Sequence, residues 1–161
     1  MSTAPVPHPK EVRDLFEGIL GRDIEIAAGE PVLPTERTHA AVGVFVEDNL
    51  SLSAGIVADL ALTAYAGAAL GLIPRDTAIA ALSNNYVDAS MWENFAEILS
   101  VGSTLLNHDG SPHVRLYASY EPGVLPPTDV AALLHGLGRR IDLSVTIGGY
   151  GTGTLSVVRT L

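Results

Sequence analysis

Apolar residues recur at helical intervals in several parts of the chain, and start or stop signals flank these segments. The first helix is predicted to open at Pro9, where the missing N–H costs little, and to stop at Gly21. Its apolar positions recur at intervals of three and four residues: Val12, Leu15, Phe16, Ile19 and Leu20. Further helices are predicted over 60–70 after the N-cap Asp59, over about 77–82, from 89 to about 106 after the N-cap Asp88, and to about 137 after the N-cap Thr128 or Asp129.

Alternating apolar positions and β-branched runs predict strands between these helices. The strand segments are 23–27, 39–46, 50–57, 114–120, 141–147 and 154–158. Two pairs form hairpins, one around residues 47–49 and one around the Gly-rich segment 148–153. This order predicts an α+β fold of two layers, with a largely antiparallel sheet and the long helices on one face. Each hairpin could present an edge strand, which leaves a homodimer through sheet pairing open.

Composition indicates one globular domain. Of the 161 residues, 47% are hydrophobic and 17% are charged. We expect a flexible Pro-rich leader at residues 1–8 and a single domain at 9–161. The absence of Cys excludes a disulfide framework and a thiolate nucleophile. The most apolar stretch, 50–73, contains Asp59 and changes its period, so it predicts a strand and a helix rather than a membrane span. We therefore expect a cytoplasmic protein with no cofactor.

The charges of the chain are unevenly distributed. Eighteen acidic residues against nine Lys and Arg give a formal net charge of -9, which disfavours nucleic acid and an anionic membrane surface as partners. Between Arg75 and Arg115 there is no Lys or Arg. The acidic residues of this stretch are Asp76, Asp88, Glu93, Glu97 and Asp109. The stretch indicates an unneutralised acidic surface and a partner with basic groups, although such charge also serves solubility alone.

The predicted helix from residue 89 has two different faces. Its apolar positions form one broad side: Met91, Trp92, Phe95, Ile98, Leu99, Leu105 and Leu106. The opposite side carries four polar residues at intervals of four, three and four, which we call the ridge: Glu93, Glu97, Ser100 and Thr104. The ridge could receive a basic group from a partner, while a solvated helix face is the more common interpretation of such a stripe.

Other motifs give weaker indications. The Gly-rich segment 148–153 has strand-forming residues after it instead of a helix, so a hairpin turn is favoured over a phosphate-binding loop. His108, Asp109 and His113 lie in a predicted turn without the regular spacing of metal ligands, and no metal site is predicted. The common signatures of serine hydrolases, P-loop proteins and zinc proteases are absent from the sequence.

The order and pattern of several segments resemble the CheC/CheX family of chemotaxis phosphatases. The similar segments are Val42–Asp48, Leu52–Asp59, Leu60–Gly71 and the run Glu97-Ile98-Leu99-Ser100-Val101-Gly102. The resemblance covers roughly residues 38–160. It implies the CheC/CheX-like fold and a role in cytoplasmic signalling through a protein partner, such as a response-regulator receiver domain.

Family members carry a Glu-x-x-Asn motif on a long helix. The resemblance implies that the Glu contacts the response regulator and that the Asn orients the attacking water. When the motif is aligned on Glu97, Ser100 occupies the Asn position, and Asn94 lies three residues before Glu97. In a phosphatase, Glu97 would contact the partner and Ser100 or Asn94 would hold the water. Two alternatives stay open: a non-catalytic interaction module, and a small-molecule binding domain that uses a cleft between the two long helices.

Overall fold

The computed structural model describes residues 4–136 and 138–160. Within these ranges the helices are α1 Pro9–Leu20, α2 Leu60–Leu70, α3 Arg75–Ser83, α4 Ala89–Val101 and α5 Thr128–His135, and a 3-10 helix at Gly102–Leu105 follows α4. The strands are β1 Ile24–Ala28, β2 Ala40–Glu47, β3 Leu52–Asp59, β4 Val114–Tyr120, β5 Arg140–Ile147 and β6 Gly151–Arg159.

The predicted helix caps of α1, α2 and α4 are confirmed. The Asp59 carboxylate accepts a hydrogen bond from the Leu62 N–H at 2.8 Å, and the Asp88 carboxylate accepts one from the Met91 N–H at 2.9 Å. Gly21 ends α1 in the left-handed conformation, with φ of 64°. Local sequence signals therefore determine where these helices begin and end.

All six strands form one sheet in the order β1-β5-β6-β3-β2-β4, and every neighbouring pair is antiparallel. The predicted α+β fold with an antiparallel sheet is confirmed. The expectation that either hairpin presents an edge strand is wrong, because β1 pairs outside β5 and β4 pairs outside β2. The edges are β1 and β4, so a homodimer through sheet pairing would have to use one of these two strands.

The longer helices share one face of the sheet. The main apolar core lies between this face and α1, α2 and α4, and its largest fully buried side chains include Phe16, Phe45, Leu62, Phe95 and Leu99. The short helix α5 lies on the opposite face, where Val130 and Leu134 join a smaller core with residues of β2, β3 and β6. On the helix face, α4 lies next to the β4 edge and α1 lies next to the β1 edge.

Two predicted helix ends differ from the structure. Helix α4 stops at Val101 rather than near residue 106, and the tighter 3-10 turn that follows leads into the buried side chains of Leu105 and Leu106. Pro127 occupies the N-cap position of α5, so neither Thr128 nor Asp129 caps that helix. The expected end of α5 at Leu137 falls outside the described residues.

The turn in the Gly-rich segment is shorter than predicted. Only residues 148–150 turn, with Gly149 at φ of 84°, and Gly151 and Gly153 belong to β6. A Cβ on Gly151 would lie 2.6 Å from the ring of Tyr65, and one on Gly153 would lie 2.5 Å from the Leu62 Cα. These glycines therefore permit close packing of α2 on β6, which a sequence motif of glycines does not reveal.

Part of the expected leader, residues 4–7, contacts the rest of the domain. Ala4 and Pro7 are buried, and the carbonyl oxygens of Ala4 and Pro5 accept hydrogen bonds from Arg139 and Arg159. Burial lowers the pKa of the Arg159 guanidinium, and the positive charge of Arg139 lowers it further. Arg159 also donates to the Leu106 carbonyl at 3.0 Å, so the segment is held against the 3-10 helix region. Residues 1–3 lie outside the described part.

Among the helices of the described residues, none combines the length and the apolar character that crossing a membrane requires.

Candidate functional site

The ridge lies on α4 and the 3-10 helix. Glu93, Glu97 and Ser100 are exposed on α4, and Thr104 is exposed on the 3-10 helix. The apolar side of α4 faces the core, where Met91, Phe95, Ile98 and Leu99 are buried. One side of α4 is buried and the other is exposed because residues three and four apart share a helix face. The structure thus places all four ridge residues on the solvent side.

The ridge side chains have few partners in the described part of the chain. Glu93, Glu97 and Ser100 make no side-chain hydrogen bond or ion pair there, whereas the Thr104 hydroxyl donates to the Val101 carbonyl at 3.0 Å. Two carboxylates at i and i+4 repel each other slightly. A cationic group from a partner would relieve this repulsion. The ridge is therefore suited to bind a basic side chain.

Val101 adds an apolar component to the ridge. It lies one turn beyond Glu97, and 40% of its surface is exposed. A contact that covers Val101 would also cover the carboxylate of Glu97, because the two side chains share a helix face. The ridge therefore offers both charge and a small hydrophobic contact.

Asn94 has a different environment from the other candidate residues. Its side chain is partly buried, and its Nδ2 donates to the Gly67 carbonyl of α2 at 2.9 Å. An added Cβ on Gly71 would also meet this amide nitrogen. The amide is thus directed at α2 and connects the two helices, while Glu97 points to solvent. Asn94 lies one turn before Glu97 on α4, but its amide is engaged with α2.

Ser100 is the one candidate water-holding residue that shares the exposed side with Glu97. A hydroxyl can donate one hydrogen bond and accept two, whereas an Asn amide offers two fixed donors and an acceptor. Ser100 lies three residues after Glu97, so both side chains are available to one partner. This pair could contact a partner surface, but it lacks the amide that the family motif supplies.

Helices α2 and α4 are in direct contact where Gly67 meets Met91. Gly67 lies against the backbone of Met91, and an added Cβ there would be 3.1 Å from the Met91 carbonyl carbon. The Ala- and Gly-rich side of α2 allows this close approach, because small residues leave no side-chain gap between helices. The two helices leave no room for a ligand at this contact, and the hypothesis of a small-molecule site in a cleft between the long helices stays a prediction.

The remaining sequence candidates do not form a chemical site in the described residues. His113 Nδ1 lies 3.9 Å from the Asp48 carboxylate, and no group of three or more potential metal ligands occurs within the described ranges. The Gly-rich turn exposes carbonyl groups to two arginines: Arg22 donates to Gly148 at 3.2 Å and Arg75 donates to Tyr150 at 2.6 Å. A phosphate-binding loop would present N–H groups instead.

Sequence reasoning missed two features at the sheet edges. The side-chain amide of Asn107 donates to the Val114 carbonyl and accepts from the Val114 N–H. These bonds satisfy the main-chain groups at the start of the β4 edge. At the other edge, Lys10 and Arg13 of α1 line a groove beside β1. The helical spacing of Lys10 and Arg13 is visible in the sequence, but their position acquires meaning only because β1 is an edge.

The comparisons with known proteins identify the fold. No family model matches the chain, and no curated protein matches it. Among solved structures, a FliG–FliM complex from H. pylori aligns with a TM-score of 0.60 at 10% identity, covering 94% of this chain and 85% of that chain. A FliM–SpeE complex from H. pylori gives a TM-score of 0.60 at 9% identity, covering 94% and 80%. The FliM middle domain from Vibrio alginolyticus gives 0.55 at 8% identity, covering 93% and 86%.

A chemotactic CheC-like protein from Shewanella oneidensis MR-1 also aligns, with a TM-score of 0.46 at 12% identity and coverage of 94% and 92%. The FliM structures, with TM-scores of 0.55 to 0.60, share the CheC/CheX-like fold, so the chain has this fold and the predicted resemblance is confirmed at the level of fold. Identities of this size concern the fold alone, so function has to be argued from the chain's own residues.

Proposed function

We propose that this chain is a cytoplasmic signalling module that binds a protein partner through the ridge. The observation that carries the proposal is the pair Glu93 and Glu97, exposed one turn apart on α4 with no ion-pair partner in the described residues. The helix is fixed to the core by its opposite side, so the two carboxylates have a defined spacing. A partner that presents basic groups at that spacing would bind without a rearrangement of this chain.

A response-regulator receiver domain is the partner class that we propose. The fold supports a protein partner in general, since FliM, which has the same fold, is found in solved complexes with FliG and with SpeE; the receiver class is what the resemblance of the sequence to the CheC/CheX family implies. Protein binding is thus a known use of this architecture. The ridge and Val101 supply the surface that we propose for this chain.

We propose binding without hydrolysis as the activity of the ridge. The amide of Asn94 is held by the Gly67 carbonyl, 2.9 Å away, and using it for a water would break the link between α4 and α2. Ser100 alone provides a single hydroxyl donor. A module that recognises a receiver domain without shortening the life of its phosphate fits this geometry better than a phosphatase.

Isothermal titration with purified receiver domains from the source organism, with and without beryllofluoride, tests the proposal. The double variant Glu93→Lys with Glu97→Lys should weaken binding at least about tenfold, because each reversal places like charges in the contact. The matched control is Glu36→Lys with Glu121→Lys, which changes the net charge equally at two other exposed positions. Equal losses in the two double variants would refute the ridge as the binding surface.

Phosphate release from a phosphorylated receiver distinguishes binding from catalysis. We expect the half-life of the aspartyl phosphate to be the same with and without this protein. A shortened half-life that Ser100→Ala or Glu97→Ala abolishes would show instead that the ridge is catalytic. The two variants are suitable because both side chains are exposed and make no hydrogen bond in the described part, so the fold does not depend on them.

A further inference from the structure

Among the described residues, no strand pairs with the outer side of β1, and this edge has a defined hydrogen-bonding pattern. The Gly148 N–H donates to the Asp23 carbonyl at 2.8 Å, and the Gly29 N–H donates to the Asp142 carbonyl at 3.0 Å. In an antiparallel pair, alternate residues direct both main-chain groups at the neighbouring strand. The odd-numbered residues of this segment therefore face β5, and Ile24, Ile26 and Ala28 direct three N–H and three C=O groups away from the sheet.

A groove of about 500 Å³ lies along this edge. Its walls are Pro9, Lys10 and Arg13 of α1, and its floor is formed by residues 24–26 of β1. Ile24 and Ile26 pack into the core on the helix side of the sheet, so the side chain of Glu25 points to the other face. The groove therefore has open main-chain groups and Glu25 between two Ile residues along its floor, and Lys10 and Arg13 on its wall.

The basic wall is unusual in this acidic chain. Lys10 is exposed and is the only lysine of the sequence, and Arg13 follows it by three residues on the same side of α1. Arg13 Nε is shielded from solvent without a hydrogen bond in the described part of the chain, and its nearest carboxylates, of Asp14 and Glu17, are 3.7 Å away. Ion pairs of this length between partly exposed side chains are weak, so these two carboxylates neutralise the guanidinium only in part.

We propose that β1 is a docking site for an extended acidic segment of a partner protein, which adds to the sheet as a seventh strand. Residues of such a segment that bond Ile24, Ile26 and Ala28 would direct their side chains to the same face as those residues, because cross-strand neighbours share a face. That face carries Lys10 and Arg13. The segment is therefore recognised by main-chain pairing and by acidic residues at every second position.

A second copy of this chain fits the edge less well than an acidic peptide. Pairing of β1 with β1 of another copy would bring two sets of Lys10 and Arg13 along the same pair of strands. Like charges at such a junction oppose association. The site is also separate from the ridge, since α4 contacts β4 and β2 whereas β1 forms the opposite edge of the sheet.

The test uses a fluorescein-labelled peptide that alternates Thr and Glu over seven residues, followed by anisotropy and by NMR. The wild-type protein should bind this peptide, and a Thr–Lys peptide should bind at least about tenfold more weakly. Amide exchange should slow at Ile24, Ile26 and Ala28, whose N–H groups face outwards, with little change at residues 25 and 27.

Two variants separate the main-chain and the charge contributions. Ile26→Pro removes an outward N–H without removing a bond to β5, and it should weaken peptide binding at least about tenfold. Lys10→Glu should do the same, while Arg37→Glu, an equal charge change at an exposed residue outside the groove, should leave binding within about twofold. Far-ultraviolet circular dichroism verifies that each variant is folded.

Three results would overturn the proposal. The first is no binding of the Thr–Glu peptide at millimolar concentration. The second is equal binding by the wild-type protein and by a folded Ile26→Pro or Lys10→Glu variant. The third is protection of the Ile24, Ile26 and Ala28 amides that rises with protein concentration in the absence of peptide, because it would assign the edge to a second copy of this chain.

Discussion

Replacement of Gly67 by Ala tests the direct contact between α2 and α4. The new Cβ would lie 3.1 Å from the Met91 carbonyl carbon and 3.3 Å from its Cα, and it would also meet the Met91 carbonyl oxygen. All three atoms belong to the backbone of α4, so no side chain can turn away. Relief requires a shift of the whole helix, and α4 is fixed by the buried side chains on its apolar side.

The expected magnitude is a difference of two effects. Overpacking of this kind costs about 3 kcal/mol at the upper end of its range, which applies because the clash is with backbone. Ala is favoured over Gly within a helix by about 1 kcal/mol. The free energy of unfolding should therefore fall by about 2 kcal/mol. With a urea slope of about 2 kcal/mol/M, the midpoint of the unfolding curve should fall by about 1 M.

Gly18→Ala is the matched control. Gly18 also lies within a helix, but its position is exposed and an added Cβ would have no neighbour within 4 Å. This variant should gain about 0.5–1 kcal/mol from helix propensity alone. A Gly67→Ala protein that is as stable as wild type, with an unchanged urea slope, would refute the conclusion that α2 and α4 are in backbone contact.

Three further substitutions test other contacts of the fold. Asp59→Ala removes the carboxylate that caps α2 and that also accepts a hydrogen bond from the Thr154 N–H at 3.1 Å. The free energy of unfolding, measured by urea denaturation, should fall by about 1–2 kcal/mol, and an unchanged value would contradict the cap. Asn94→Ala removes the bond from α4 to the Gly67 carbonyl, which keeps a longer bond of 3.4 Å from the Gly71 N–H, and should cost about 0.5–1.5 kcal/mol; an unchanged urea midpoint would show that the Asn94 amide does not stabilise the helix contact. Asn107→Ala opens the β4 edge, and amide exchange at Val114 should accelerate at least about tenfold; continued protection would mean that another group closes the edge.

The parts of the fold that can be predicted from the sequence depend on neighbouring residues. Asp59, Asp88 and Gly21 act within one helical turn, so their roles are visible in a short window of sequence. The alternating strands and the exposed side of α4 follow from periodicity in the same way. The long stretch without Lys or Arg is equally visible in the amino-acid sequence, and it indicates where the ridge lies.

The parts that cannot be predicted in this way depend on residues far apart in the chain. Ile24 pairs with Ile147, and this pairing decides that β1 is an edge and that β5 is not. The role of Asn94 depends on the carbonyl of Gly67, which lies 27 positions earlier in the sequence. Gly153 is predicted to be part of a turn because nothing in its own segment shows that α2 packs on it. Tertiary contacts of this kind have no local signal.

The guanidinium of Arg139 binds both ends of the described chain. It donates to the Ala4 carbonyl through one nitrogen and to the Thr160 carbonyl, 2.6 Å away, through the other. The first and last described residues, Ala4 and Thr160, therefore lie close together. A domain with this property can be inserted into a loop of another protein, or rejoined by a short linker and opened elsewhere, without stretching its sheet.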